Sequence, residues 1–198
     1  RALRASGVGY SRDLADADAA LTLVNLHGPR NLIPALETGL VDGFVVMQPY
    51  LALAEHQRVG RTLTMLQALP PAGRWEGHPC CALAAHGRFL EHHRPLATRL
   101  TALMLRARAY LAADPQGRAP QVARWLGLPE AVERRSLPSI RFDVGLDTAW
   151  HRGVDMWVDA MVDLGRLQGA VKDAQQDGDL VPLVYDQALY AEARRGLE

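Results

Sequence analysis

The amino-acid pattern predicts an α/β protein whose C-terminal half is mainly helical. Two features predict it. Short apolar runs alternate with short amphipathic segments between residues 20 and 66, and beyond residue 86 the apolar residues recur at three- and four-residue spacing over long stretches. With 22 basic and 22 acidic side chains in 198 residues and a hydrophobic fraction of 48%, the composition is that of an ordinary globular chain. Arginines are dispersed among acids and form no basic face that could grip a phosphate backbone, so nucleic acid is not expected as a partner. No apolar run is long enough to span a membrane.

Ala20 to Leu26 is a short apolar run stopped by His27-Gly28-Pro29, which suits a buried strand. Asn31 to Thr38 carries Leu32, Ile33 and Leu36 on one face of a short helix, and Gly39 stands where a left-handed C-terminal cap is wanted. Gly43 to Met47 then reads as a second buried strand closed by Gln48-Pro49. Strand, helix, strand over this span is a βαβ unit with parallel strands. A helix from Tyr50 to Gln57 and a strand at Thr62 to Leu66 complete the α/β portion.

Farther on, Pro95 opens a helix running to about Ala113, with Leu96, Leu100, Leu103, Met104, Ala107 and Leu111 as its apolar stripe, and Asp114-Pro115 stops it. A helix from Pro120 to Leu126 ends at Gly127, and Pro129 starts another turn. Asp143 to Leu164 is the strongest helical pattern, ended by Gly165; its Trp150 and Trp157, like Trp125 before it, are read as core. Gln175 to Asp179 reads as a loop and Pro182 to Arg195 as a last helix.

In open parallel sheets, ligands sit beyond the carboxyl ends of the strands, where loops converge. That rule selects His27 after the first strand and Gln48 and Tyr50 after the second. The alternative is that these are plain strand-to-helix turns, with His27 solvated.

The segment Trp75-Glu-Gly-His-Pro-Cys-Cys81 holds the only two cysteines. Cys80 to Ala85 reads as a strand, so His78 and Cys80 point together while Cys81 faces away. A chelate shared by neighbouring cysteines needs a distorted backbone, their disulfide is a strained ring, and no second Cys or His pair stands at zinc spacing. No metal or cofactor is therefore expected. Cys81 suits a small buried hydrophobe, and His78 and Cys80 are candidate ligand contacts. Trp75 is a further candidate, through aromatic stacking, although it can equally pack at the surface. His92 and His93 are expected on an exposed helix face.

Ala35-Leu-Glu-Thr-Gly-Leu-Val-Asp-Gly43, followed by an apolar strand and Gln48-Pro49, resembles the signature of ABC-transporter substrate-binding proteins of the nitrate/sulfonate/taurine class and of the related thiamine-precursor-binding (NMT1/THI5-like) proteins. Phe89 to Pro95 and Ala109 to Pro115 extend the resemblance. It implies a type II periplasmic binding protein fold: residues 1–77 form most of the second lobe, 78–86 the hinge strand, and 87–198 a mainly helical segment packing on the first lobe. The chain would then be the C-terminal two-thirds of a two-lobe protein, with any signal peptide or lipid anchor upstream of Arg1. The family usually has Glu where Gln48 stands, and the lost charge suits an anionic or neutral ligand.

The resemblance implies the periplasmic or extracytoplasmic solute-binding component of an ABC importer, not an enzyme, whose partners are a small ligand and a membrane permease. Two alternatives stay open. One is a thiamine-pyrimidine-synthase-like enzyme using His78-Pro-Cys-Cys81, with iron and pyridoxal phosphate; the other is the ligand-sensing domain of a regulator.

Overall fold

A computed structural model describes residues 1–142, 145–178 and 180–197. In chain order its elements are α1 (Ala2–Ala5), β1 (Tyr10–Ser11), β2 (Leu21–Thr22), α2 (Leu32–Glu37), α3 (Tyr50–His56), α4 (Gly87–Ala113), α5 (Pro115–Leu126) and α6 (Glu130–Ser136). There follow α7 (Thr148–Asp163), α8 (Ala170–Asp177), α9 (Val181–Val184) and α10 (Gln187–Arg195). The chain divides into two units, Arg1–Trp75 with Asp114–Arg141, and Glu76–Ala113 with Phe142–Glu198.

In the first unit β1 and β2 pair in parallel, Tyr10 opposite Leu21 and Ser11 opposite Thr22. The expected strand at 20–26 thus shrinks to two residues, and its partner is β1 rather than 43–47. Segments 43–47 and 62–66, and 80–85 in the second unit, pair with no strand among the described residues. Nor are they buried: Val45 is 73% and Leu63 80% exposed. An apolar run becomes a strand only where a neighbour supplies ladder bonds, and the local pattern contains no information about that neighbour.

The helices follow the sequence more closely. Gly39 takes φ 73° after α2, and Gly127 takes φ 70° after α5, as left-handed caps that only glycine adopts without strain. Asp114 caps α5 by accepting from the Gly117 N–H, so this helix starts at Pro115 and not at Pro120. The core of this unit is built from Ile33 and Ala35 of α2, Ala52 and Ala54 of α3, Ala119 and Ala123 of α5, Val132 of α6, and Leu137. Alanines at these contacts let the helix axes approach closely, and α6 takes both α3 and α5 as neighbours.

In the second unit α4 is broken at His93, which has φ −133° and ψ 32°. Pro95 is the cause, since it lacks an N–H and its ring opposes the carbonyl four residues back. The expected stripe of α4 is not its packed face: Leu103 is 58% exposed and Leu96 56%. Instead α10 lies along Arg94, Ala97 and Thr98. Arg94 bonds both Asp186 (2.9 Å) and Glu192 (3.0 Å), and the Thr98 hydroxyl reaches Glu192. These polar contacts accompany the buried Leu189 and Ala193 of α10, and a pairing so distant in the chain is not contained in the apolar spacing of α4.

Asp147 caps α7 through the Trp150 N–H; the expected start at Asp143 lies outside the described residues. Gly153, Met156, Val158 and Ala160 are its buried positions, so Trp157, expected in the core, is 38% exposed, and Trp125 of α5, expected there too, is 83% exposed. Segment 175–179, expected as a loop, belongs to α8 as far as Asp177, with Gly178 as the left-handed cap. The last expected helix is split into α9 and α10 around Asp186, whose side chain caps α10 through the Leu189 N–H. Where α7 meets the end of α9, the His151 ring stacks on Tyr185 at 4.8 Å and Trp150 meets it edge-on at 4.7 Å; burial, then the charge of Asp155, pushes the Tyr185 hydroxyl up to about 12.

Gly153 permits a close approach. A Cβ there would stand 2.6 Å from Pro79 Cδ and 3.0 Å from the His78 Cα. Alanine gains roughly 1 kcal/mol in helix propensity, but overpacking a rigid site costs about 1–3 kcal/mol. Gly153→Ala should therefore lower the urea unfolding free energy; an increase would show that Pro79 does not seat against α7.

Asp186 and Glu192 both sit below their ordinary carboxylate values, first because Arg94 donates hydrogen bonds to them. Groups with depressed folded-state values add stability above their unfolded values, 3.8 and 4.5, and lose it as pH falls through the folded ones. Asp186→Asn keeps a capping oxygen but removes the charge. Its stability deficit against wild type, measured by urea unfolding, should be larger at neutral pH than near pH 3; a deficit independent of pH would remove the ion pair as its cause.

Candidate functional site

Four of the six candidate ligand residues, His27, Gln48, Tyr50 and Trp75, belong to the first unit; His78 and Cys80 belong to the second.

His27 stands at the turn that follows β2. Its backbone is left-handed, φ 58°, a conformation in which histidine is enriched over most residues, and Asn25 Oδ1 accepts its N–H at 2.9 Å. Asn31 completes the turn by donating to the Leu26 carbonyl at 2.7 Å. These bonds present the exposed His27 side chain at a recess of about 400 Å³, whose far wall is α2 with Pro34, Ala35 and Thr38. His27 lines this shallow, solvent-open depression, a position compatible with both a solvated turn and a ligand contact.

Gln48 has a different task. Pro49 offers no side-chain acceptor at the start of α3, and Gln48 supplies one: its Oε1 accepts from the Ala52 N–H at 3.2 Å. Its Nε2 donates to Ser139 Oγ, also at 3.2 Å, and Ser139 in turn donates to the Ser136 carbonyl at 2.7 Å. The Ser136 hydroxyl donates to Glu133 Oε2 at 2.9 Å, and Glu133 is 1% exposed. One amide hydrogen and one lone pair of Gln48 are left for any ligand. Tyr50, half-buried, opens α3 two residues later.

Glu55 closes the same seam from the other end of α3. Its Oε1 accepts from the Thr62 N–H at 2.8 Å, and its Oε2 pairs with Arg135 of α6. The Thr62 N–H, together with the guanidinium, holds the Glu55 carboxyl below its ordinary value against the opposing effect of burial.

Trp75 is half-buried and spends its indole N–H locally, on the Pro70 carbonyl at 2.8 Å, where it closes the Pro-Pro turn. In the second unit the His78 ring meets Trp157 of α7 edge-on at 5.6 Å, and the Trp157 indole donates to the Pro79 carbonyl at 3.0 Å. Trp157, read as core from its spacing, is thus the residue that seats the His-Pro segment. The glycine inside the α7 pattern, Gly153, was the available signal, because a glycine at such a position marks a close approach.

Cys80 and Cys81 do not face apart. Both are exposed, both are free thiols, and their sulfurs lie 3.7 Å from each other. Opposite-facing geometry requires a regular strand, and no strand forms here. Partial burial, then Cys81, pushes the Cys80 thiol above its ordinary value. His92 and His93 are exposed, as expected. Among the described residues no group of three or more His, Cys, Asp or Glu side chains could hold a metal.

Gln48→Ala removes both the α3 cap and the link to Ser139. A lost cap costs about 0.5–2 kcal/mol, and Ser139→Ala should show coupling of about 0.5 kcal/mol or more with it in a double-mutant cycle. Urea unfolding of the two single variants and the pair measures this; strictly additive effects would mean that the amide does not bridge α3 to the 137–139 turn.

Neither a curated protein nor a solved structure matches the chain. A family model does, and it implies a periplasmic-binding-type fold, with which the parallel pair and the helices of the first unit are compatible. That model matches residues 2–127, from α1 to the left-handed cap of α5, and the chain belongs to the NMT1-like family.

Proposed function

We propose that the protein is the extracytoplasmic solute-binding component of an ABC importer of the nitrate/sulfonate/taurine type, which holds a small organic or anionic ligand and presents it to a membrane permease. The observation that carries this reading is the His27 recess, which lies after a parallel strand, within the stretch matched by the family model, and is bordered by polar side chains from Asn25, Asn31 and Thr38. Its volume is at the lower end of the roughly 300–1,000 Å³ of small-molecule sites, and it is open to solvent. His27 and the amides supply hydrogen bonds, while Leu26, Pro34 and Leu40 supply apolar surface. The residues that line the recess include no Asp, Glu, Lys or Arg, so hydrogen bonds rather than ion pairs would hold the ligand there. Gln48, with its amide engaged at both ends, positions Tyr50 and α3 and contributes at most its second amide hydrogen and lone pair to a ligand.

The enzyme alternative rests on the two exposed thiols. Lys172 lies on an exposed part of α8, which does not favour it as a pocketed amine.

A thermal-shift series with nitrate, bicarbonate, alkyl sulfonates, aromatic acids and pyrimidine precursors tests the importer reading. A ligand that binds the folded state raises the melting temperature by mass action. The expected result is stabilisation by one class, strongly reduced in His27→Ala and Thr38→Ala. Equal stabilisation of both variants would move the ligand away from this recess.

A further inference from the structure

We propose that the exposed face of α4 lies on an anionic lipid surface, with its leucines toward the acyl chains and its arginines among the headgroup phosphates. At about 3.6 residues per turn, Leu96, Leu100, Leu103, Met104 and Tyr110 fall within an arc of about 120°, and all five are exposed. The face that packs on α10 is a different one, carrying Arg94, Ala97 and Thr98. The exposed stripe runs for about 21 Å along the helix.

Charge indicates what covers it. Arg99 and Arg106 stand on one margin of the stripe and Arg108 on the other, and no acidic residue occurs between His92 and Ala113. Among the described residues neither Arg99 nor Arg106 makes an ion pair or a side-chain hydrogen bond. Both border a recess of about 400 Å³ between α4 and α10, which Leu103 and Gly196 also line, and the last turn of α10 adds the exposed Arg194 and Arg195. Glu192 lines the recess too, but its carboxylate is engaged by Arg94 and Thr98. The whole chain has a formal net charge of zero, so these arginines are a local basic patch and not part of a general excess.

An apolar stripe with arginines on both margins is the pattern of a helix that lies in a membrane interface. Its apolar side chains enter the boundary between headgroups and acyl chains, while arginine stems cover apolar surface and the guanidiniums reach phosphate. No helix among the described residues is long and apolar enough to cross a membrane, so α4 lies along the surface and does not span it. A second copy of this chain suits the face less well. Two such faces in contact would oppose arginine margins, with no acid on either stripe to receive them. An anionic lipid surface presents phosphates across one plane and meets both margins at once. The proposal is independent of the His27 recess, which belongs to the other unit.

The experiment is co-sedimentation of the full chain with vesicles of phosphatidylcholine alone and of phosphatidylcholine mixed with phosphatidylglycerol, in low and in high salt. The expected result is at least about tenfold stronger partitioning onto the anionic vesicles, largely lost in high salt. Arg99→Gln and Arg106→Gln should each weaken it about fivefold, the change expected of one basic side chain at such a surface. Leu103→Gln should weaken it at least about threefold. All three side chains are exposed, so urea unfolding should be unchanged and separates lost binding from a lost fold. Arg30→Gln, which removes an exposed charge from the first unit, should leave partitioning as it is. Equal partitioning onto both vesicle types, or wild-type partitioning in the α4 variants, would overturn the proposal. Absence of partitioning onto either vesicle would overturn it as well and point to an acidic protein surface as the occupant.

Discussion

The first unit depends on the polar seam that binds α3 to α6. At one end Glu55 divides its carboxylate between the Thr62 N–H and Arg135. At the other, Gln48 divides its amide between α3 and Ser139, and Ser136 passes the connection to the buried Glu133. A helix of seven residues has little stability of its own. Side-chain bonds that satisfy its first turn and fix its last turn to a neighbour are what keep it in place, and the alanines between them let the two axes approach.

This arrangement carries a cost. Glu133 is almost wholly buried and has a hydrogen bond on Oε2 but none on Oε1. A buried carboxylate so treated is not a gain in stability by itself, because desolvation opposes it. Its effect is directional: it orients Ser136, hence the 137–139 turn, hence the Gln48 amide. The second unit solves the corresponding problem in two places. Arg94 gathers Asp186 and Glu192 to set α10 on α4, and Gly153 with Trp157 sets the His-Pro segment on α7. Exposed ion pairs of this kind add little energy each, and the buried Ala97, Leu189 and Ala193 supply the apolar part of the contact.

The chemistry of the molecule is divided in the same way. Polar side chains around His27 border a shallow, open recess, whereas the two thiols form an exposed pair in the second unit. Membership of the NMT1-like family is consistent with both solute-binding proteins and thiamine-synthase-like members, so chemistry at particular residues has to separate them.

The sequence by itself determined the turn at His27, the extents of α2 and α3 to within a residue or so, the glycine caps at 39 and 127, and the family motif, because caps, turn residues and helical periodicity are local properties read within a few positions. Only the tertiary structure decided which runs became strands, which face of α4 was covered, that Gln48 braces α3 against Ser139, that Trp157 supports Pro79, and that the two sulfurs meet. Each of those depends on a partner distant in the chain or on a departure from regular backbone, and a periodic pattern contains neither.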